Sequence, residues 1–278
     1  MEKPRNTSEK NPVFNTSVPK TPVVDGGKSL DEVATLSLAA VPSSTPRMKV
    51  VKEPKTSKKV SLPPARDLAE IKMVTLLQER CRQLGLSIFF GVDTKIHSLG
   101  LTSSIAGEGK SFMTMLMANI LARDISNPIT LLECNWENPC FHEYFGFNPT
   151  PGLAEWLRGE CDERSIRYRV SPNLTVIPAG NCRQDAVRLL QHMRRNNTVD
   201  TFLHSDGLLI VDLPPVVTSA YGALAASLVD SLVLVIHAGV TTEVLVAETC
   251  IQLKDLPIYG VILNQVESRI PRWIRRLL

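Results

Sequence analysis

The segment LTSSIAGEGKSF (101–112) has the residue types and the order of a loop that binds phosphate groups. Gly107 and Gly109 allow positive φ angles and a close backbone approach, so that successive N–H groups can converge on phosphate oxygens. The side chain of Lys110 is expected to reach the β- and γ-phosphates and to neutralise charge in phosphoryl transfer, and the Ser111 hydroxyl to bind Mg²⁺. The predicted nucleotide contacts are Gly107, Glu108, Gly109, Lys110, Ser111 and Phe112.

One departure from the full phosphate-loop pattern is visible, because the position of its first glycine is occupied by Ser104. An ordinary strand–helix turn without a nucleotide is therefore the alternative interpretation. The GEGKS core nevertheless follows an apolar run and precedes a helix-like stretch, which is the context that a phosphate loop requires. This context favours nucleotide binding.

Two acidic residues stand at the ends of apolar runs. LLIVD ends at Asp212, before a Pro-Pro turn, and ITLLE ends at Glu133. The carboxyl ends of strands in an open parallel sheet face the ligand crevice, so both carboxylates are expected there. Lys110 and Asp212 are the predicted catalytic residues, and Ser111, Asp212 and Glu133 are the predicted metal ligands. For Glu133 the alternative is a strand-end acid that is capped by water.

The elements that must position these residues alternate between strands and helices. Such alternation predicts right-handed crossovers, and hence an α/β fold with a mostly parallel twisted sheet and helices on both faces. Together with the candidate phosphate loop, this architecture predicts the P-loop NTPase class. Strands are predicted at 97–103, 129–134, 174–180, 207–212, 231–239 and 257–263. Helices are predicted at 65–85, where Gly85 is the expected stop, and at 110–124, 150–159, 184–196, 218–228 and 241–254.

Composition divides the chain into a tail, 1–65, and a globular domain, 66–278. The tail carries 11 Lys+Arg against 6 Asp+Glu and holds nine of the 19 prolines, so it is predicted to be largely disordered. A short amphipathic stretch at 29–40 is a candidate docking segment within it, with a plain linker as the alternative. The six cysteines show no CxxC pair, and neither a signal peptide nor a long apolar run is present, which predicts a cytoplasmic protein.

The order of the motifs GEGKS, PGLAEWLRGE, NLTVIPAG, DLPPV and GVILNQVE resembles that of the bacterial tyrosine kinases of polysaccharide export, which are P-loop relatives of partition and division-site ATPases. The resemblance covers about residues 70–270. It implies an ATP and Mg²⁺ site, ring-like self-association, a membrane-embedded partner that regulates polysaccharide chain length or export, and autophosphorylation of a C-terminal tyrosine cluster. It also implies that Asn264 contacts the adenine base, and an ordinary strand-end asparagine is the alternative.

Several residues depart from the family pattern. The family's acidic motif after the second strand has two aspartates, and Glu133 and Asn135 occupy those positions here. Asn135 cannot accept a proton, so the expected activation of a nucleophile is missing. Glu137 and Asn138 replace a basic pair, which removes positive charge from the site.

The family's oligomerisation and phosphorylation motifs are also incomplete. Of a Glu and two Arg spaced by three residues, the chain retains Glu79 and Arg82, which could equally form a local ion pair. The chain ends in IPRWIRRLL (270–278) and has no tyrosine there. This basic end is expected to pack on the domain, with an anionic membrane surface as the alternative.

The sequence therefore predicts an ATP-binding relative of the exopolysaccharide tyrosine autokinases with weak or absent kinase activity. It is expected to regulate polysaccharide assembly, peripherally at the inner membrane through its partner. Two alternatives stay open: a positioning-type ATPase that dimerises with nucleotide, and a non-enzymatic scaffold. Basic residues are not interleaved with aromatic ones, so no nucleic acid is expected as a partner.

Overall fold

The computed structural model of the chain describes residues 36–37, 68–91, 96–203 and 206–266, with side chains from residue 73 onward. Apart from residues 36–37, the predicted basic tail lies outside the described residues. The arginine-rich end at 270–278 also lies outside them, so the disorder of the tail and the packing of this end stay predictions.

One mixed sheet forms the centre of the fold, and its strands follow the order β1-β8-β7-β2-β6-β3-β5-β4. Every neighbouring pair is parallel except β4 and β5, which are antiparallel. The prediction of a mostly parallel sheet is thus confirmed. The strands are β1 (Leu36–Ser37), β2 (Ser98–Ser103), β3 (Ile129–Glu133), β4 (Tyr168–Ser171), β5 (Leu174–Ile177), β6 (Leu208–Asp212), β7 (Ser231–His237) and β8 (Ile258–Asn264).

Helices cover both faces of this sheet, as predicted. One hydrophobic cluster packs α1, α2 and α3 against one face, and a second packs α4, α5 and α7 against the other. Because side chains alternate along a strand, β6 sends Leu208 and Ile210 to the first cluster and Leu209 and Val211 to the second. The helices are α1 (Leu68–Phe90), α2 (Lys110–Asp124), α3 (Phe141–Phe145), α4 (Leu153–Leu157), α5 (Ala186–Arg195), α6 (Thr198–Thr201), α7 (Gly222–Ala226) and α8 (Glu243–Gln252), with a 3₁₀ turn at Glu163–Ile166.

The predicted stop of the first helix at Gly85 is wrong, since α1 continues to Phe90. Gly85 is buried, and a Cβ atom there would lie 2.9 Å from both terminal methyl carbons of Leu121 on α2. The glycine therefore allows two helices to approach closely. No helix among the described residues has both the length and the apolar composition needed to cross a membrane.

The antiparallel strand β4 is absent from the predicted elements. Its four residues, YRVS, are only partly buried and include the exposed Arg169, so no apolar run marks them. The helix predicted at 218–228 is also much shorter, because α7 has five residues.

Candidate functional site

The loop between β2 and α2 has the backbone that its glycines predict. Gly107 and Gly109 adopt positive φ angles of 85° and 90°. A Cβ atom on Gly109 would lie 2.3 Å from Nδ2 of Asn264, whereas one on Gly107 would meet nothing within 4 Å. Gly109 is thus required both for its backbone conformation and for the space next to β8.

Three predicted site residues meet immediately after this loop. The Ser111 hydroxyl donates to Oδ2 of Asp212 at 2.7 Å, and Nζ of Lys110 lies 3.3 Å from Oδ1 of the same carboxylate. Lys110 is 6% exposed and Asp212 is fully buried. Burial raises the pKa of Asp212, while Lys110 and the Ser111 hydroxyl oppose that rise. The first turn of a 15-residue helix and the end of β6 therefore place a cation, a hydroxyl and a carboxylate together.

The Glu108 side chain is turned inward, although Glu108 is one of the predicted nucleotide contacts. Its Oε2 accepts from the Ile105 N–H at 2.7 Å, and its Oε1 accepts from the His237 N–H at 3.1 Å and from the Thr241 hydroxyl. These bonds attach the loop to the end of β7 and to the turn that follows it. Any contact of Glu108 with a phosphate would thus come from its backbone.

Asn264, the last residue of β8, also lies against the loop. Its Nδ2 donates to the carbonyl oxygen of Glu108 at 2.9 Å, which fixes the orientation of the amide. Its Oδ1 is buried and has no hydrogen-bond partner among the described residues. The amide therefore offers an acceptor, which matches a donor such as the exocyclic amine of a base.

Glu133 lies beside Asp212, since the two residues are paired in the register of β3 and β6. Its Oε1 accepts from the backbone N–H groups of Cys140 at 2.5 Å and of Phe141 at 2.9 Å, and its Oε2 accepts from the Ala179 N–H at 3.0 Å. Burial raises the pKa of Glu133 to about 7, and the three N–H donors oppose this rise. Both carboxylate oxygens accept hydrogen bonds from backbone N–H groups. The geometry therefore favours a strand-end acid over a metal ligand, and the acid is capped by N–H groups where water was expected.

Asn135 follows at the position where the family pattern has its second aspartate. The residue is 2% exposed, and its Nδ2 donates to the Asn138 carbonyl oxygen at 3.2 Å. Its Oδ1 has no partner among the described residues. The loop around it is fixed, because the Trp136 indole donates to the Ala179 carbonyl oxygen and the Ser219 hydroxyl donates to Oε1 of Glu137.

Unpaired buried polar atoms collect at one edge of the sheet. Two such side-chain atoms among the described residues lie at or just after the carboxyl end of a strand. Since buried polar groups almost always have partners, an unpaired group needs a reason such as a ligand or an ordered water. The two atoms are Asn135 Oδ1 after β3 and Asn264 Oδ1 on β8.

The site fits Mg²⁺ only in part. The Ser111 hydroxyl and the Asp212 carboxylate are two oxygen donors side by side, and Mg²⁺ commonly takes one or two protein oxygens and completes its shell with water and phosphate. The described residues contain no group of three or more His, Cys, Asp or Glu side chains that could hold a metal ion. A magnesium site here would thus depend on the phosphates of a nucleotide.

Other residues of the site region have structural contacts. Phe112 is partly buried and packs against the cluster under α1 and α2, so its side chain belongs to the core. Three hydroxyl contacts were not predicted, because a threonine on an apolar strand or helix carries no distinct sequence signal. They are Thr114 to the Lys110 carbonyl oxygen at 2.8 Å, Thr102 to the Pro214 carbonyl oxygen at 2.8 Å and Thr249 to Oγ of Ser104 at 2.8 Å.

The remnant of the oligomerisation motif forms internal ion pairs. The Arg82 guanidinium contacts Glu79 one turn earlier, and its Nε also lies 2.5 Å from Oδ2 of Asp124 at the end of α2. These contacts match the alternative of a local ion pair, and ring assembly stays a prediction.

The strand order and the loop between β2 and α2 define a P-loop NTPase fold. No protein-family model matches the chain. Solved structures with the same fold include the kinase domain of the Escherichia coli tyrosine kinase ETK, with 23% identity and a TM-score of 0.63 over 70% of this chain and 77% of that one. A plasmid partition protein from Borrelia burgdorferi matches with 18% identity and a TM-score of 0.50, over 66% of this chain and 86% of that one.

Sequence relatives are more specific. The tyrosine-protein kinase CpsD of Streptococcus agalactiae is 29% identical over 186 residues, which cover 66% of this chain and 80% of CpsD. EpsB of Ralstonia solanacearum is 28% identical over 199 residues, which are 70% of this chain but 26% of EpsB, so the chain spans about a quarter of that relative. The chain is thus a divergent relative of bacterial tyrosine kinases from capsular and exopolysaccharide systems, as its motif order predicts.

Proposed function

We propose that the chain binds ATP with Mg²⁺ and regulates the assembly of an exopolysaccharide, with weak or absent tyrosine-kinase activity of its own. The observation that carries the proposal is the meeting of Lys110, Ser111 and Asp212 at the start of α2, directly after a glycine loop. Converging backbone N–H groups, a helix N-terminus and a lysine together bind polyphosphate.

Each residue has a distinct part in this proposal. Gly107 and Gly109 shape the loop so that its N–H groups face the phosphates, and Lys110 exchanges the Asp212 carboxylate for phosphate oxygens. Ser111 and Asp212 would hold Mg²⁺, which neutralises phosphate charge when it is bound. Asn264 contributes its free Oδ1 as an acceptor for the amine of the base.

Turnover is proposed to be weak because the residues that would activate a nucleophile are missing or engaged. An asparagine amide at position 135 cannot take a proton from a hydroxyl group. The Glu133 carboxylate holds three backbone N–H groups instead of facing a reacting group. The predicted consequence is a protein whose nucleotide state controls a contact with a partner.

The proposed partner is a membrane-embedded protein that controls polysaccharide chain length or export. Support comes from the sequence relatives EpsB and CpsD, which are tyrosine kinases of exopolysaccharide and capsular systems. In this arrangement the chain would act at the cytoplasmic face of the inner membrane and would be held there by the partner.

Thermal unfolding of the full chain with and without ATP and Mg²⁺ tests nucleotide binding. A ligand at about 100 times its Kd stabilises the protein that it binds by about 2.7 kcal/mol, which raises Tm. We expect this rise in the wild type and in Lys254→Ala, an exposed control, but not in Lys110→Ala. Each variant is compared with itself, because Lys110→Ala also removes the buried partner of Asp212.

The alternatives give different results in the same set of experiments. No rise in Tm at millimolar ATP would contradict the proposal and favour a scaffold that does not use nucleotide. Strong tyrosine phosphorylation that Lys110→Ala abolishes would contradict the weak-kinase part. Dimers that form with ATP, together with hydrolysis that a partner stimulates, would favour a positioning-type ATPase.

A further inference from the structure

Helix α5 presents two arginines and a histidine to solvent on one face. Arg188, His192 and Arg195 are exposed and are spaced by four and three residues, which places them on one side of the helix. With Gln191 and Asn196 they line a concave surface of about 420 Å³. Among the described residues, no acidic side chain lines this surface.

Several arginines on the described surface of the domain are paired with carboxylates, whereas those of α5 are not. Arg82, Arg158, Arg167 and Arg183 each contact at least one carboxylate. Within the described part of the chain, Arg188, Arg194 and Arg195 form no ion pair. Asp185 precedes Arg188 by three residues, but the two do not pair.

The stability of the helix does not account for all of this charge. Cations near a helix C-terminus interact favourably with the dipole, which explains Arg194 and Arg195 in the last turn. Arg188 lies in the first turn, where the same dipole disfavours a cation and where acidic residues are preferred. Helix stability therefore does not explain an arginine at position 188, and an anion from outside the domain would.

We propose that the α5 face, defined as Arg188, Gln191, His192, Arg195 and Asn196, binds an acidic peptide segment of a partner protein. Two guanidinium groups can each form a planar pair of hydrogen bonds with a carboxylate, and the amide of Gln191 adds a neutral donor. The Nδ2 of Asn196 lies 3.0 Å from Nε2 of His192, so this amide orients the imidazole ring. The seven-residue separation of Arg188 and Arg195 corresponds to about 10.5 Å along the helix.

The spacing also specifies the segment. Acids three residues apart in a polyproline II segment lie on one side and about 9 Å apart, close to the separation of the two arginines. The α5 face therefore matches a Glu-x-x-Glu pattern in an extended segment. The inference does not depend on nucleotide binding.

Fluorescence anisotropy with the full chain tests the proposal. The probe is a short labelled peptide that contains Glu-Ser-Ser-Glu, and its Gln-Ser-Ser-Gln counterpart is the control peptide. We expect Arg188→Gln/Arg195→Gln to weaken binding of the acidic peptide about tenfold, since two charge-assisted contacts are lost. The matched control is Arg164→Gln/Lys254→Gln, which removes the same charge at exposed sites elsewhere and should change binding less than about twofold.

Further variants and probes test whether the contact between the α5 face and the acidic peptide is specific. Arg188→Glu/Arg195→Glu should bind a Lys-Ser-Ser-Lys peptide that the wild type does not bind. Equal losses in the two double variants, or equal binding of the acidic and Gln peptides, would overturn the proposal. It would also be overturned if the wild type bound vesicles of anionic phospholipid through these two arginines but did not bind the peptide.

Discussion

Replacing Glu108 by glutamine distinguishes a residue that braces the phosphate loop from one that contacts a ligand. The Glu108 carboxylate accepts hydrogen bonds from the Ile105 N–H, the His237 N–H and the Thr241 hydroxyl. A glutamine has one oxygen, so its amide NH₂ must face at least one N–H donor. That buried N–H loses its acceptor, which costs about 1–3 kcal/mol.

The bonds that glutamine keeps also become weaker, because hydrogen bonds to a charged group are roughly twice as strong as neutral ones. Together these effects predict that Glu108→Gln lowers the free energy of unfolding by about 3 kcal/mol. Urea unfolding followed by tryptophan fluorescence measures this change, and hydrogen exchange at the Ile105 and His237 amides should become faster. Glu143→Gln, on the short helix α3, is the control, and it should change the free energy of unfolding by less than about 0.5 kcal/mol.

A different result would refute this reasoning. If Glu108→Gln unfolded at the wild-type urea concentration but lost nucleotide affinity, the side chain would be a ligand contact and the internal hydrogen bonds would not matter for stability. If stability and affinity both stayed at the wild-type level, neither role would hold.

Three further predictions concern Glu133, Asn135 and Gly85. Because the pKa of Glu133 is raised from its ordinary value of 4.5 to about 7, its contribution to stability is present below about pH 4.5 and is lost as the pH rises through 7. Urea unfolding between pH 5 and pH 8 should show a loss of up to about 3 kcal/mol, and Glu133→Gln should remove that pH dependence. Asn135→Asp should raise ATP turnover in a phosphate-release assay by at least about tenfold, and Asn135→Ala should not. If Asn135→Asp gave no gain, the missing carboxylate at position 135 would not be the reason for weak turnover. Gly85→Ala should lower the free energy of unfolding by about 1–2 kcal/mol through overlap with Leu121, and Leu121→Ala in the same chain should relieve that overlap, as a double-mutant cycle would measure.

The fold was predictable because its strands are buried on both faces. Every residue of β3 and β6 is buried, and such strands read as apolar runs with sharp ends. The helix at 110–124 has the predicted bounds, since the glycine loop marks its start and its apolar residues continue for four turns. Strand β4 has no comparable run, and Gly85 reads as a stop although its role is the close contact of two helices.

The candidate site was predictable in its positions but not in its contacts. Motif order placed Lys110, Ser111 and Asp212 in one crevice, where the structure brings them together. The inward turn of Glu108 and the engagement of Glu133 depend on N–H groups far away in the sequence, such as those of His237 and Ala179. Every residue except proline has a backbone N–H group, so a sequence pattern cannot reveal which of these groups binds a given carboxylate.

Helix α2 has contacts at both of its ends. Lys110 begins the helix beside Asp212, and Asp124 ends it beside Arg82 of α1, about 21 Å further along the axis. Between these two contacts the helix is buried along most of its length, so we expect it to shift as one rigid helix. A partner that separates Arg82 from Asp124 would therefore act on the same helix that carries Lys110 at its other end. Helix α2 thus connects the surface of α1 to the phosphate loop.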